Sequence, residues 1–288
     1  MNVEKVTTVV LLVSLMLAAG LEVNWDHLVA VLKNYGLIGR ALLANFVIVP
    51  VLAVLVARLL RLEGYVAIGL LLMAIAPGVP FLVRAAARKS GGSLEFAATL
   101  AFLMPALSII TIPLTASLIF PPDIEAHLPF TKLLVTLVLF QLVPLLLGLA
   151  IASSNPDLAA RLQRPLRLLF LIAVVVLVAI LAPTLVRSVA EVYGTHGIWA
   201  MIILVLLSVL TGWLFGGPQI EYRHTLSVAT ALRNIGTCAV IAVSSFKGTL
   251  ATPTVLTYFL IQFLITVLVR LYFHRSAALG NHDMKAPV

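Results

Sequence analysis

Two short stretches carry the residue types that could do chemistry. The first reads Ala74-Ile75-Ala76-Pro77-Gly78-Val79-Pro80-Phe81 and the second Ala231-Leu232-Arg233-Asn234-Ile235-Gly236-Thr237. Each interrupts a long apolar run. Pro77 and Pro80 remove two backbone donors and leave carbonyls without helical partners. Asn234 and Gly236 mark the point where the second run unwinds. Freed carbonyls carry partial negative charge and freed N–H groups partial positive charge, so a pair of such breaks can hold ions and polar groups. Arg233, with Arg84 one turn beyond Pro80, brings guanidinium groups that suit a carboxylate or an oxyanion. Both arginines have a second reading: Arg233 can neutralise the carbonyl end of a half-helix, and Arg84 can reach a polar surface on its apolar stem. Ser227, Thr230 and Thr237 supply hydroxyls that either line the same site or bond back to their own helix.

The elements that hold these residues follow from composition. The chain has 288 residues, 62% hydrophobic and 10% charged, with a mean hydropathy of +1.15. A soluble domain carries roughly 45–50% apolar and about 25% charged residues, so this chain needs a bilayer as its apolar solvent. Nine runs are long enough to cross it: Val6–Leu21, Tyr35–Leu60, Tyr65–Arg88, Ser93–Phe120, Pro129–Ser153, Leu166–Val186, Ile198–Gly217, His224–Phe246 and Ala251–His274. In lipid these must be helices, because backbone groups have to be satisfied within the segment. The expected fold is therefore all-α, a polytopic transmembrane bundle of about nine spans. Pro77 falls about twelve residues into the third run, roughly 18 Å deep at the helical rise. Arg233 falls about nine residues into the eighth. Both breaks lie near the midplane, where unpaired backbone must face protein or a water-filled cavity. Breaks at comparable places in two halves of a chain point to the binding site of an inverted-repeat transporter. Gly212-x-x-x-Gly216 is read as a helix-packing motif.

Charge sets orientation and removes alternatives. The formal net charge is +8, but the basic residues sit between apolar runs, which marks membrane orientation rather than a nucleic-acid face. Nine spans place twelve Lys and Arg on one side and six on the other, with Arg233 inside a span. The basic side is expected in the cytoplasm, giving an outer N-terminus, a cytoplasmic C-terminus and a plasma (inner) membrane location. Leu17-Ala18-Ala19-Gly20 is a poor cleavage site, so the first run is read as a retained helix rather than a signal peptide. Ser153–Asp157 and the basic stretch after it form the best internal linker, and the tail 276–288 is polar and expected to be mobile. Apart from short connections the length is taken up by spans, which leaves no room for a soluble catalytic domain. No Asp, Glu or His lies mid-span, so a proton relay has no carrier. The histidines show no metal-ligand spacing, and no metal site is expected. The single cysteine, Cys238, cannot form an internal disulfide.

Ala76-Pro77-Gly78, Arg233-Asn234-Ile235-Gly236 and Gly20-Leu21 resemble motifs of the bile acid:sodium symporter family, in that order and over nearly the whole chain. In that family a proline-glycine break crosses a second broken helix that carries a Glu-x-x-x-Gln-Asn-x-Gly pattern. The resemblance implies a single transporter domain over 1–288. It divides this into a panel (6–34 and 129–190) and a mobile core (35–120 and 197–274). Nine spans match the members that lack one N-terminal helix. The departures fall on the sodium ligands. The acidic ligand falls on Ala229, the glutamine on Arg233, a Ser-Asn pair on Leu82 and Val83, and hydroxyl ligands on Met104 and Pro105. Sodium needs hard oxygens and is repelled by a neighbouring guanidinium, so no cofactor is expected and sodium coupling is not.

The function expected is transport of a small, anionic organic molecule by alternating access. Its binding residues would be Pro77, Gly78, Val79, Pro80, Arg84, Thr230, Arg233, Asn234, Gly236 and Thr237. Two alternatives stay open: a receptor or scaffold that kept the fold without transporting, and a sodium-independent exporter or exchanger. An intramembrane enzyme is disfavoured, since no Asp pair, His-Glu cluster or Ser-Lys arrangement lies at depth.

Overall fold

The computed structural model describes residues 3–78, 87–88, 91–120 and 130–283, with side chains described throughout these except at 181, 183–191, 193 and 276–283. Among the described residues there are eleven helices and no strand. In chain order they are α1 (Val3–Leu21), α2 (Trp25–Leu32), α3 (Tyr35–Leu59), α4 (Gly64–Ile75), α5 (Leu94–Ile119), α6 (Phe130–Ser154), α7 (Pro156–Gly194), α8 (Gly197–Phe215), α9 (Ile220–Ala231), α10 (Ile235–Ser245) and α11 (Ala251–Asp283). Seven of them (α1, α3, α5, α6, α7, α8 and α11) are long and apolar enough to cross a membrane. The expected third and eighth spans are the interrupted ones. The third stops as α4 at Ile75, and the eighth is divided into α9 and α10.

Three features differ from the expectation. The linker at Ser153–Asp157 shrinks to one non-helical residue, Asn155, whose side chain accepts the Leu158 N–H and starts α7 at once. α7 then runs 39 residues, about 58 Å at the helical rise, because Arg161 and Arg164 suit an exposed helix as well as a loop. The last helix runs past the expected span end at His274, as far as Asp283. Between α1 and α3 lies α2, which is not one of the nine runs. Asn24 caps it by accepting the His27 N–H at 3.1 Å, which satisfies one of the donors that a helix start leaves free.

α3 and α6 each contain one π-helical turn, Ala44–Ile48 and Val138–Leu142. Each turn is followed at once by a proline near the start of the next α-helical stretch, Pro50 and Pro144. A proline has no N–H and its ring collides with the carbonyl four residues back, so the helix takes in an extra residue. Each turn turns one amide inward, Asn45 and Gln141, and both are fully buried.

α1 packs against α6, α7 and α10, while α8 packs against α9, α11 and α3, and α4 against α11. Glycines set the closest approaches. A Cβ on Gly20 or Gly148 would collide with the backbone of the facing helix, at the Leu145 and Leu17 carbonyls respectively. The Gly212-x-x-x-Gly216 motif is a helix contact, with Gly212 on the backbone of Leu226 and Ser227 and Gly216 on that of Arg223. Glu22, just past α1, is buried and forms an ion pair with Arg167 of α7, and Gln163 donates to the Leu21 carbonyl at 3.1 Å.

Candidate functional site

The two breaks meet. Pro77 and Arg233 face each other as a single antiparallel rung. The Gly78 N–H donates to the Leu232 carbonyl at 3.1 Å, and the Asn234 N–H donates to the Ala76 carbonyl at 2.9 Å. The groups that proline and unwinding free in one segment are thus taken up by the other. This is how irregular backbone persists where lipid offers no hydrogen bonds. Gly78 has φ +83°, a conformation that costs most residues energy and glycine none. A Cβ there would also lie 3.1 Å from the Met104 Cβ, so α5 runs alongside the crossing.

Arg233 is 0% exposed. Its backbone is held on both sides by Gln262 of α11, whose Oε1 accepts the Arg233 N–H at 2.8 Å and whose Nε2 donates to the Arg233 carbonyl at 3.2 Å. Its guanidinium Nη1 donates to the Ala74 carbonyl at 3.3 Å, one residue before α4 ends. Nε and Nη2 have no partner among the described residues. Cys238 Sγ donates to the Leu72 carbonyl at 3.3 Å, so a second carbonyl near the end of α4 is engaged from α10.

Asn234 caps α10, its Oδ1 accepting the Thr237 N–H at 3.2 Å. The Thr237 hydroxyl donates to Gln141 Oε1. Gln141 Nε2 donates to the Pro105 carbonyl at 2.6 Å and to Ser108 Oγ at 2.7 Å. One buried amide therefore ties α6 to α5 and α10. Thr230 bonds back to the Leu226 carbonyl at 2.6 Å and accepts from Asn45 Nδ2 at 3.4 Å. Gly236 lies against α1, where a Cβ would meet Leu11 Cδ2 at 2.9 Å. His224 sits within α9, stacked 4.2 Å from Phe273 and tilted 5.8 Å from Trp213.

Of the residues singled out in the sequence, Pro77, Gly78, Arg233 and Asn234 come together at the crossing. Thr237 adjoins it through α10 and Thr230 through α9. Ser227 is buried in α9. Val79, Pro80, Arg84, Leu82 and Val83 lie outside the described residues. Gln262, Gln141 and Asn45 complete the polar surroundings and were not anticipated. Each is a lone amide in an apolar run, and an amide at mid-depth is itself a signal, since lipid leaves it no partner.

A cleft of about 250 Å³ opens between the end of α1, α2 and α5, lined by Glu22, Asn24, His27, Leu94, Ala98 and Thr99 among others. Thr99 is five residues, about 8 Å along α5, from Met104 at the crossing. The sequence profile of the sodium bile acid symporter family matches residues 9–192. No curated protein matches the chain. The matched segment contains the first break and stops before α8, and the second break is joined to it by the Pro77–Arg233 rung.

Proposed function

The chain belongs to the sodium bile acid symporter family, and on that premise we propose that it carries small organic anions by alternating access around the crossing of its two broken helices. It is a multi-pass membrane protein, and members of its family are transporters rather than enzymes. The observation that carries the anionic reading is Arg233, a fully buried guanidinium at the crossing. Among the described residues, the only buried acidic side chain is Glu22, which is paired with Arg167. The centre is thus net positive, which favours an anion over a cation. In this reading 6–34 and 129–190 form the static panel and 35–120 and 197–274 the moving core, with the α1–α2–α5 cleft as one access route. The basic bias puts the N-terminus outside and the C-terminus in the cytoplasm of the plasma (inner) membrane, and a reporter fused at Val288 should be active only inside.

The test is uptake of labelled mono- and dicarboxylates by proteoliposomes of the purified protein. Saturable uptake of at least one anion, and none of its neutral amide, is the expected result. Binding of an anion with no translocation in any gradient would instead favour a receptor.

A further inference from the structure

We infer that the Arg233 guanidinium serves as a built-in cation in place of sodium, so that the protein works without sodium; the inference deepens the reading of the crossing as the transport centre. Two helices, α4 and α9, end at one place, at Ile75 and Ala231. A helix C-terminus carries roughly half a negative charge and an N-terminus roughly half a positive one; with α10 starting beside them at Ile235, the three ends sum to about half a unit of negative charge. One guanidinium offsets it and leaves the centre positive, as the anionic reading requires. Its Nη1 already caps the Ala74 carbonyl.

The same residues do not fit a sodium ion. Ala229, Met104 and Pro105 offer no side-chain oxygen. Four oxygens of the crossing already accept hydrogen bonds: Gln262 Oε1 from the Arg233 N–H, Asn234 Oδ1 from the Thr237 N–H, and the Ala76 and Leu232 carbonyls from the rung between the breaks. Sodium takes several hard oxygens at once. A sodium ion about 4 Å from the guanidinium would also lose roughly a thousandfold in affinity by repulsion alone, at an effective dielectric near 20.

The experiment is thermal unfolding of the purified protein in detergent, in sodium chloride and in choline chloride at matched ionic strength, with no substrate present. The unmodified protein should unfold at the same temperature in both, within about 1 °C, because a ligand that does not bind the native state cannot stabilise it by mass action. Arg233→Ala should unfold several degrees lower in choline, and methylguanidinium at tens of millimolar should restore much of the loss while equal choline restores none. A saturable rise with sodium in the unmodified protein would overturn the inference, as would an Arg233→Ala protein as stable as the parent in choline. If Arg233→Ala does not fold, the sodium comparison on the unmodified protein decides alone. Since no substrate is used, failed anion uptake would sink the transport reading and leave this one standing.

Discussion

At the residue scale the crossing depends on groups that have few substitutes. Gln262 satisfies both backbone groups of Arg233. Gln262→Leu keeps similar bulk but leaves a buried N–H and a buried C=O unpaired. That should cost about 2–4 kcal/mol, read as a lower unfolding temperature in detergent. An unchanged midpoint would mean that another group takes over the pairing. Gly78 is constrained differently. Gly78→Ala places a side chain in a left-handed backbone, worth roughly 1–2 kcal/mol, and presses its Cβ toward Met104 at 3.1 Å. It should therefore lower stability moderately, and a bulkier residue such as leucine should abolish uptake even when the protein still reaches the membrane. Uptake by Gly78→Leu at the parent rate would show that the crossing is not the site.

At the element scale glycine has opposite meanings in two helices. Gly148 touches the backbone of α1, so a methyl group there cannot be absorbed by side-chain motion. Gly148→Ala should push α1 and α6 apart and destabilise by about 1–3 kcal/mol, the usual cost of overpacking. Gly39 in α3 has nothing within 4 Å of where a Cβ would be. Gly39→Ala should be neutral or stabilising by up to about 1 kcal/mol, through helix propensity alone. Thermal midpoints of the two variants, measured side by side, check the contrast, and a loss at position 39 equal to that at 148 would contradict the packing. The π-helical turns are the other element-scale device, since they turn Asn45 and Gln141 inward toward α9 and toward α5 and α10 respectively.

At the scale of the whole molecule, the proposed alternating access has the α1–α2–α5 cleft change shape during each cycle. Ala98 lies on its wall, and Cys238, the sole native cysteine, is fully buried. A cysteine at position 98 is therefore the thiol that a water-soluble reagent should reach. Modifying Ala98→Cys with a bulky, charged thiol reagent should stop uptake, while the same treatment should leave the parent protein active. Full uptake after complete modification would remove the cleft from the transport route.

The amino-acid sequence by itself determined the membrane class, the all-helical fold and the positions of both breaks. Those properties are local: an apolar run long enough to cross lipid must be helical, and Pro77, Pro80 and Arg233 violate the run wherever the helix cannot continue. It also carried the motif likeness, because Ala76-Pro77-Gly78 and Arg233-Asn234-Ile235-Gly236 are contiguous. What only the tertiary structure decided was who satisfies whom. The Pro77–Arg233 rung, the hold of Gln262 on the Arg233 backbone and the link from Thr237 through Gln141 to Pro105 join residues far apart in the chain. An isolated glutamine in an apolar run announces that it needs a partner, but not which one. The helix α2 and the unbroken course of α7 were hidden for a related reason, since capping by Asn24 and Asn155 rather than apolarity starts them. Which helix end the Arg233 guanidinium meets, that of α4 at the Ala74 carbonyl, arises from packing across the bundle, and no period or spacing along a chain records it.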